Sequence, residues 1–420
     1  MKKIYIVWVA IFLAGRLAYT ADEATPIDRE HARQLYQRQQ QGEQLTPQEQ
    51  AYIEKAKQLH GQQQNHGNTE IDWPRAQQLH RREQQGEKLS AEEQAYLDKA
   101  KAALHQRPQG GGQAQPTGPA PGGKDSMDLI PLCDLGTQKY KGEDGGLYGG
   151  GKNEPPAAHA AAAEKELKKI RPLDAEGKPA EDGKIVLLSV GMSNTTMEFS
   201  RFKELADADR EKSPKLVIVD GAQGGQTPPR WTQSPDNHVW QTVNERMNHA
   251  GITPPQVQLV WFKQANAHPT EAFPEHAQKL QADMTLLLNM LKTKFPNLRV
   301  AYLSSRIYAG YATTQLNPEP FAYEGAFAMR WLIQAQIKGD LKMNYDATCG
   351  QVKAPLLLWG PYLWADGMKP RSDGLTWTRN DLGAGDGTHP SMAGRQKVAE
   401  QLLKFFHTNL LAREWFLAKP

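Results

Sequence analysis

The second half of this 420-residue chain contains five short apolar runs separated by segments of helical periodicity. The runs lie at 185–190, 216–220, 257–262, 298–304 and 356–359, with helical patterns at 273–294 and 320–338 among the segments between them. Short apolar runs that alternate with helices are typical of parallel strands buried on both faces. The pattern predicts an α/β fold, a doubly wound and mainly parallel sheet between two layers of helices.

A stretch rich in glycine and proline, PQGGGQAQPTGPAPGGK at 108–124, marks the clearest domain boundary. It carries too few apolar side chains to be buried, and such compositions behave as flexible linkers. We therefore expect the α/β domain to occupy 125–420.

Two related segments precede this linker, since residues 32–59 recur at 76–104. Each copy has a helix-forming run, a glycine suited to a helix C-terminus, and then a capping box. The capping boxes are Thr46-Pro47-Gln48-Glu49 and Ser90-Ala91-Glu92-Glu93. The repeats predict two tandem helical hairpins over 28–105, with no pattern that identifies their binding partner.

The first 21 residues resemble a secretory signal peptide. Lys2 and Lys3 precede an apolar segment at 4–14, and small residues follow near a cleavage zone at Thr20 and Ala21. The apolar segment is shorter than the roughly 20 residues a membrane span needs, so we expect export to the periplasm or the exterior without stable membrane insertion after cleavage. An uncleaved signal anchor stays open, because Tyr19 is large for one of the two candidate sites.

Charge and cysteine content limit the possible partners. Fifty Lys and Arg residues against 47 Asp and Glu residues give a net charge of +3 without a basic block, so nucleic acid is not expected as a partner. Cys133 and Cys349 could form a disulfide in an exported chain, and two free thiols are equally compatible with the sequence.

A serine stands directly after the first apolar run, in the stretch Gly191-Met192-Ser193-Asn194. Serine in this place either caps the following helix or acts as a nucleophile on a strand-to-helix turn. Near the C-terminus, Asp386 and His389 lie on a glycine-flanked loop before an amphipathic helix. A carboxylate at that spacing can orient an imidazole whose other nitrogen acts as a base.

Taken together, GMSN at 191–194 and DGTH at 386–389 resemble the first and last blocks of the SGNH, or GDSL-like, hydrolase superfamily, in its branch of carbohydrate and sialate acetylesterases. The similarity covers about 184–407 and leaves the hairpins aside. It implies a three-layer, flavodoxin-like sandwich and a catalytic triad of Ser193, His389 and Asp386.

Two further blocks of the family are matched less well. The glycine-rich loop after the second run places Gly225 where the family has a backbone oxyanion donor, with Gly224 as a close second choice. In the third block only Asn266 survives as the side-chain oxyanion donor, and Gln264 could donate the same hydrogen bond.

Substrate recognition has weaker sequence support. Arg306 and Tyr308 follow the fourth apolar run, where substrates enter such folds, although Arg306 could instead tie down a loop through carbonyl groups. Aromatic residues at 359, 362 and 364 would suit a sugar ring or could pack beneath a loop.

The resemblance implies an exported serine esterase that removes acyl groups, in the first place acetyl, from carbohydrate or another small ester. Acyl transfer of this kind requires neither a metal nor a cofactor. The competing hypothesis is a noncatalytic surface or carbohydrate-binding protein built on a hydrolase-like scaffold.

Overall fold

The computed structural model describes residues 46, 48–50, 79, 90, 92–98, 123–383 and 385–418. The chain divides into two compact units, residues 1–114 and 115–420. The division falls inside the predicted linker at 108–124. The predicted signal segment and most of the linker lie outside the described residues.

In the first unit, both predicted capping boxes are formed. The backbone N–H of Thr46 donates to Glu49 Oε2 at 2.8 Å, and the N–H of Glu49 donates to Thr46 Oγ1 at 3.3 Å. Ser90 and Glu93 exchange the equivalent bonds at 2.9 and 3.2 Å. Helical residues follow both boxes. These reciprocal bonds satisfy N–H groups that a helix start leaves unpaired.

The second unit contains a two-stranded antiparallel hairpin, β1 (Lys139–Tyr140) and β2 (Glu143–Asp144). The main sheet consists of β3 (Ile185–Gly191), β4 (Leu216–Asp220), β5 (Val257–Lys263), β6 (Val300–Leu303) and β7 (Leu356–Trp359). The helices are α1 (Ala157–Leu167), α2 (Ser193–Asp207), α3 (Pro228–Thr232), α4 (His238–His249), α5 (Glu275–Lys294), α6 (Phe321–Ile337), α7 (Met392–Thr408) and α8 (Arg413–Phe416). Within the described residues, no helix is long and apolar enough to cross a membrane.

The five strands of the main sheet lie in the order β4-β3-β5-β6-β7, and every neighbouring pair is parallel. All residues of β3, β5, β6 and β7 are buried, as expected for strands covered on both faces. Helix α2 packs against α7, and α5 packs against α6. The predicted three-layer, doubly wound sandwich is confirmed, and the predicted strand ends fall within two residues of the observed ones.

The strand order reverses at β3, which lies between β4 and β5. The chain leaves β3 toward β4 and later returns on the other side to form β5. At such a reversal the loops after the two central strands diverge and leave a crevice outside their carboxyl ends, where ligands bind in open α/β sheets. Any site built by the loops after β3, β4 and β5 therefore lies at this crevice.

At the opposite side of the sheet, side chains cover the outer strand β7. The Leu357 N–H donates to Gln336 Oε1 at 2.7 Å, and the Leu357 carbonyl oxygen lies 2.8 Å from His159 Nε2. The Trp359 N–H donates to Tyr148 Oη at 3.4 Å. Tyr148 comes from the glycine-dense loop 145–151. That loop packs closely, since Cβ atoms at Gly145 and Gly146 would approach backbone atoms within 2.6 Å.

Both cysteines are free thiols, which resolves the alternative left open by the sequence. Cys133 is partly buried and Cys349 is exposed. Burial raises the pKa of Cys133 to about 12, and the thiol therefore stays protonated at neutral pH.

The last residue of the predicted linker, Lys124, and the residues directly after it are bound into the second unit. Lys124 N–H donates to the Gly310 carbonyl at 2.8 Å, and the Lys124 carbonyl accepts from Tyr308 Oη at 2.7 Å. Ser126 Oγ donates to Asp366 Oδ2 at 2.5 Å. Asp366 is 1% exposed, so its carboxylate depends on this segment for donors.

We predict that the second unit, as a chain beginning at Gln115, is more stable than a chain beginning at Leu129. Deleting 115–128 leaves Asp366 buried without these donors, a loss we expect to cost about 1–3 kcal/mol or more. Thermal unfolding of the two chains, followed by circular dichroism, measures the difference. Equal unfolding temperatures would show that residues 115–128 do not stabilise the second unit.

Candidate active site

Ser193 is the first residue of α2, two residues beyond the end of β3. A Cβ atom at Gly191 would lie 2.2 Å from Thr195 Oγ1 and 2.4 Å from the Lys263 carbonyl, so only glycine fits this turn. Thr195 Oγ1 donates to the same carbonyl at 2.8 Å. The N-cap residue of α2 is Met192, which makes no side-chain capping bond. The structure therefore contradicts the helix-cap alternative for Ser193.

The sheet brings Ser193 together with the C-terminal loop. Ser193 Oγ lies 2.7 Å from His389 Nε2, and His389 Nδ1 lies 2.5 Å from Asp386 Oδ2. The three side chains thus form one continuous hydrogen-bonded relay from hydroxyl to imidazole to carboxylate. This is the geometry in which an imidazole can take a hydroxyl proton while a carboxylate fixes its orientation.

Asp386 is held in the ionised state by its own loop. Burial raises the pKa of its carboxyl, but hydrogen bonds from the His389 and Thr388 N–H groups and from the imidazole outweigh burial and keep the pKa below its usual value. The two N–H groups donate to Asp386 Oδ1 at 3.0 and 2.9 Å. Gly387 has φ +60°, and a Cβ there would lie 2.0 Å from the Tyr311 carbonyl. This tight turn lets the carboxylate fold back onto the imidazole.

The carbonyl oxygen of Thr388 anchors the loop to α2 and to the segment after β6. It accepts from Asn194 Nδ2 at 3.0 Å and from Arg306 Nη2 at 3.4 Å. Arg306 is 4% exposed. The structure thus places the guanidinium behind the loop that carries His389, as in the loop-tying alternative and unlike the predicted role in substrate binding.

Tyr308 is also removed from any substrate. It is fully buried, and its hydroxyl is committed to the Lys124 carbonyl. The three aromatic residues considered as sugar platforms, Trp359, Tyr362 and Trp364, are each at most 5% exposed. Their polar atoms bond inward, for example Trp364 Nε1 to Glu319 Oε1 at 2.7 Å. The predicted contact of Tyr308 with substrate is therefore wrong, and the aromatic residues pack beneath loops.

The glycine loop after β4 lies beside Ser193. A Cβ atom at Gly224 would come within 4.0 Å of Ser193 Cβ. Gly225 has φ +73°, a conformation that favours glycine, and both glycines are exposed. Gln223 N–H donates to the Gly191 carbonyl at 3.2 Å, which ties the loop to the turn at the end of β3. Backbone N–H groups of this loop are thus available at the crevice.

The third block differs from the sequence expectation. Asn266 Nδ2 donates to Asp283 Oδ2 on α5 at 2.8 Å, and the backbone carbonyl of Asn266 accepts from Asn317 Nδ2 at 3.0 Å. The side-chain bond directs the Asn266 amide toward α5. Gln264 is 1% exposed, and both of its amide atoms lack a hydrogen-bond partner within the described residues. The Asn266 amide is thus bound to α5, whereas the Gln264 amide has no partner among the described residues.

The sequence did not predict a buried ion pair that joins α2 to β5. Lys263 Nζ at the end of β5 bonds Glu198 Oε2 on α2, and both side chains are completely buried. Burial raises the pKa of Glu198 and lowers the pKa of Lys263 to about 8, while their mutual attraction opposes both changes. A lysine and a glutamate in sequence give no sign of such a pair, because each usually lies on a solvated face.

Comparisons with known proteins give only distant likenesses. No protein-family model and no curated protein matches the chain. A candidate acylhydrolase from Bacteroides fragilis is 15% identical and covers 60% of this chain and 96% of its own, with a TM-score of 0.32. A lipase from a goat rumen metagenome is 12% identical and covers 54% of this chain and 100% of its own, with a TM-score of 0.32. The periplasmic domain of a Salmonella Paratyphi A lipopolysaccharide acetyltransferase is 12% identical. It covers 59% of this chain and 96% of its own, with a TM-score of 0.30.

We predict that Glu198→Gln lowers the free energy of unfolding by about 3–5 kcal/mol, since it leaves the Lys263 ammonium buried without a counter-charge. Adding Lys263→Met to the same chain should recover most of that loss, because the unpaired charge is then gone. Urea unfolding of the single and double variants measures both effects. A single variant as stable as wild type would mean that the lysine is neutral or solvated in the native protein.

Proposed function

We propose that this protein is a serine hydrolase that cleaves acyl esters. The observation that carries the proposal is the unbroken relay from Ser193 Oγ through the His389 ring to Asp386 Oδ2, with separations of 2.7 and 2.5 Å. A serine hydroxyl bonded to a carboxylate-oriented imidazole is the arrangement required for nucleophilic attack on a carbonyl carbon. Its position at the crevice of the sheet gives a substrate access.

In the proposed reaction, Ser193 Oγ attacks the ester carbonyl carbon while His389 Nε2 accepts the hydroxyl proton. Asp386 stabilises the imidazolium without taking its proton. The imidazolium then protonates the departing alcohol, which leaves an acyl group on Ser193. A water molecule, deprotonated by His389, attacks this ester, and the acid is released as Oγ recovers its proton.

The negative charge that develops on the carbonyl oxygen needs donors in place before the reaction. We propose the backbone N–H groups of Ser193 and Gly225 for this role. Ser193 opens α2, where N–H groups have no partner within the helix and the helix dipole favours an anion. Gly225 lies on the exposed loop beside the nucleophile.

The finer assignments depend on the sequence. An acetyl group as the acyl part and carbohydrate as the alcohol follow from the resemblance to the SGNH acetylesterase branch, and export follows from the N-terminal segment. Because Arg306, Tyr308 and the three aromatic residues are buried, none of them supports a sugar site. Esters of small alcohols are therefore the first substrates to test.

The rival hypothesis is a noncatalytic binding protein on the same scaffold. It differs from an esterase in one respect that can be measured directly, namely the reactivity of Ser193. A fluorophosphonate probe that modifies the intact protein at the peptide containing Ser193, and does so no longer in Ser193→Ala, would exclude the rival.

We predict that Ser193→Ala and His389→Ala each abolish nearly all hydrolysis of a small acetyl ester and leave the circular dichroism spectrum unchanged. Loss of either group removes the nucleophile or its base, and losses of about 10⁴-fold or more are typical of such triads. Asp386→Asn should be equal or milder, since the carboxylate touches only the imidazole. Acetate release by each purified variant is the measurement. Wild-type rates in Ser193→Ala would refute the esterase.

We further predict that Asn266→Ala leaves kcat within about tenfold of wild type, because its amide is bound to Asp283. Gln264→Leu tests the unpartnered amide, and losing a true oxyanion donor costs about 100-fold or more. The two variants act as controls for each other. If only one of them loses about 100-fold, that side chain moves to the substrate and supplies a donor.

A further inference from the structure

Asp220, the last residue of β4, accepts four hydrogen bonds at the edge of the candidate site. Ser189 Oγ donates to Oδ1 at 2.5 Å, and Ala222 N–H donates to the same oxygen at 3.2 Å. Thr196 Oγ1 and Ser200 Oγ donate to Oδ2 at 2.5 and 2.7 Å. The two carboxylate oxygens therefore face different elements, with Oδ1 on the strand and loop and Oδ2 on α2.

Ser189 extends this contact. It is a fully buried residue of β3, and its hydroxyl oxygen accepts from the Gly221 and Ala222 N–H groups at 3.1 and 3.2 Å. From the outer side, Arg246 Nη1 donates to the Asp220 and Ala222 carbonyls at 2.8 Å each. The start of the glycine loop is thus fixed from both sides.

The same loop reaches the nucleophile a few residues later. Gln223 N–H bonds the Gly191 carbonyl, and Gly224 comes close to Ser193. Because Thr196 belongs to the first turn of the helix that Ser193 opens, Asp220 joins that turn to the loop carrying Gly225. Its two oxygens thus connect α2 to β3 and to the start of the glycine loop.

Burying a carboxylate costs free energy, which a neutral group in a purely structural contact would not incur to the same extent. The carboxylate is, however, acceptor-only, so that three hydroxyls and an N–H can all donate to it in one arrangement. An amide would present its NH₂ group to at least one of these hydroxyls. Burial raises the pKa of Asp220, and the hydroxyl donors oppose that rise. The hydroxyl donors therefore favour the ionised form of the carboxyl group.

We propose that Asp220 is a positioning residue for the esterase proposed above, one that sets the distance between the Gly225 N–H and Ser193 Oγ. It does not touch substrate. It acts through the glycine loop and the first turn of α2, so its loss should weaken stabilisation of the transition state more than binding of the ester.

The test compares Asp220→Asn and Asp220→Ala with the control Asp174→Asn. Asp174 also holds a turn, accepting from the Glu176 and Lys178 N–H groups at 3.0 and 2.8 Å, but it precedes β3 at the other end of the sheet. We expect kcat on a soluble acetyl ester to fall about 10-fold in Asp220→Asn and further in Asp220→Ala, with KM within about twofold. The control should keep both constants.

Hydrogen–deuterium exchange of the peptide that covers 221–227 gives a second readout that needs no activity. Faster exchange there in Asp220→Asn, with unchanged exchange in α5, is the expected result. If Asp220→Ala does not fold, Thr196→Val removes one donor and should give the smaller version of both effects. Unchanged kcat and unchanged exchange in Asp220→Asn would overturn the proposal. If the wild type is inactive but Asp220→Asn still exchanges faster at 221–227, the esterase is refuted. The role of Asp220 in holding the glycine loop would then stand without it.

Discussion

The hydrogen bond from Thr195 Oγ1 to the Lys263 carbonyl links the first turn of α2 to the neighbouring strand β5. It is possible only because Gly191 has no side chain, as any Cβ there would occupy the same space. This close approach fixes where the chain leaves β3, and so fixes where Ser193 stands. The C-terminal loop then needs only to meet a hydroxyl whose position the sheet has already determined.

Three charged side chains are buried near this turn. Lys263 and Glu198 pair beneath it, and Arg306 lies behind the loop of His389. Isolated buried ions are costly, and pairs recover that cost only with good geometry. The directional bonds of these groups hold α2, β5 and the loop of His389 in one arrangement. Apolar side chains could fill the same space but would not fix such a direction. The same buried positions explain why Arg306 is not a substrate ligand.

The sheet could be predicted from the sequence because buried parallel strands are continuous apolar runs, and their ends fell within two residues. Ser193, Asp386 and His389 could be chosen because each follows a strand or a glycine-flanked turn. Side-chain direction could not be predicted. Asn266 bonds Asp283 on a distant helix, and Tyr308 bonds Lys124 across the end of the linker. Ser189 looks like a small interruption in an apolar strand, and only its bond to Asp220 gives it a purpose.

The outer strand β7 has a consequence for how this protein behaves at high concentration. A strand at the border of a sheet normally offers its peptide groups to any extended chain nearby, which is how sheets grow from one molecule into the next. Here Gln336, His159 and Tyr148 already occupy peptide groups of Leu357 and Trp359. A second chain would have to displace three packed side chains before it could add a strand. The loop that supplies Tyr148 thus protects the molecule against self-association along this border.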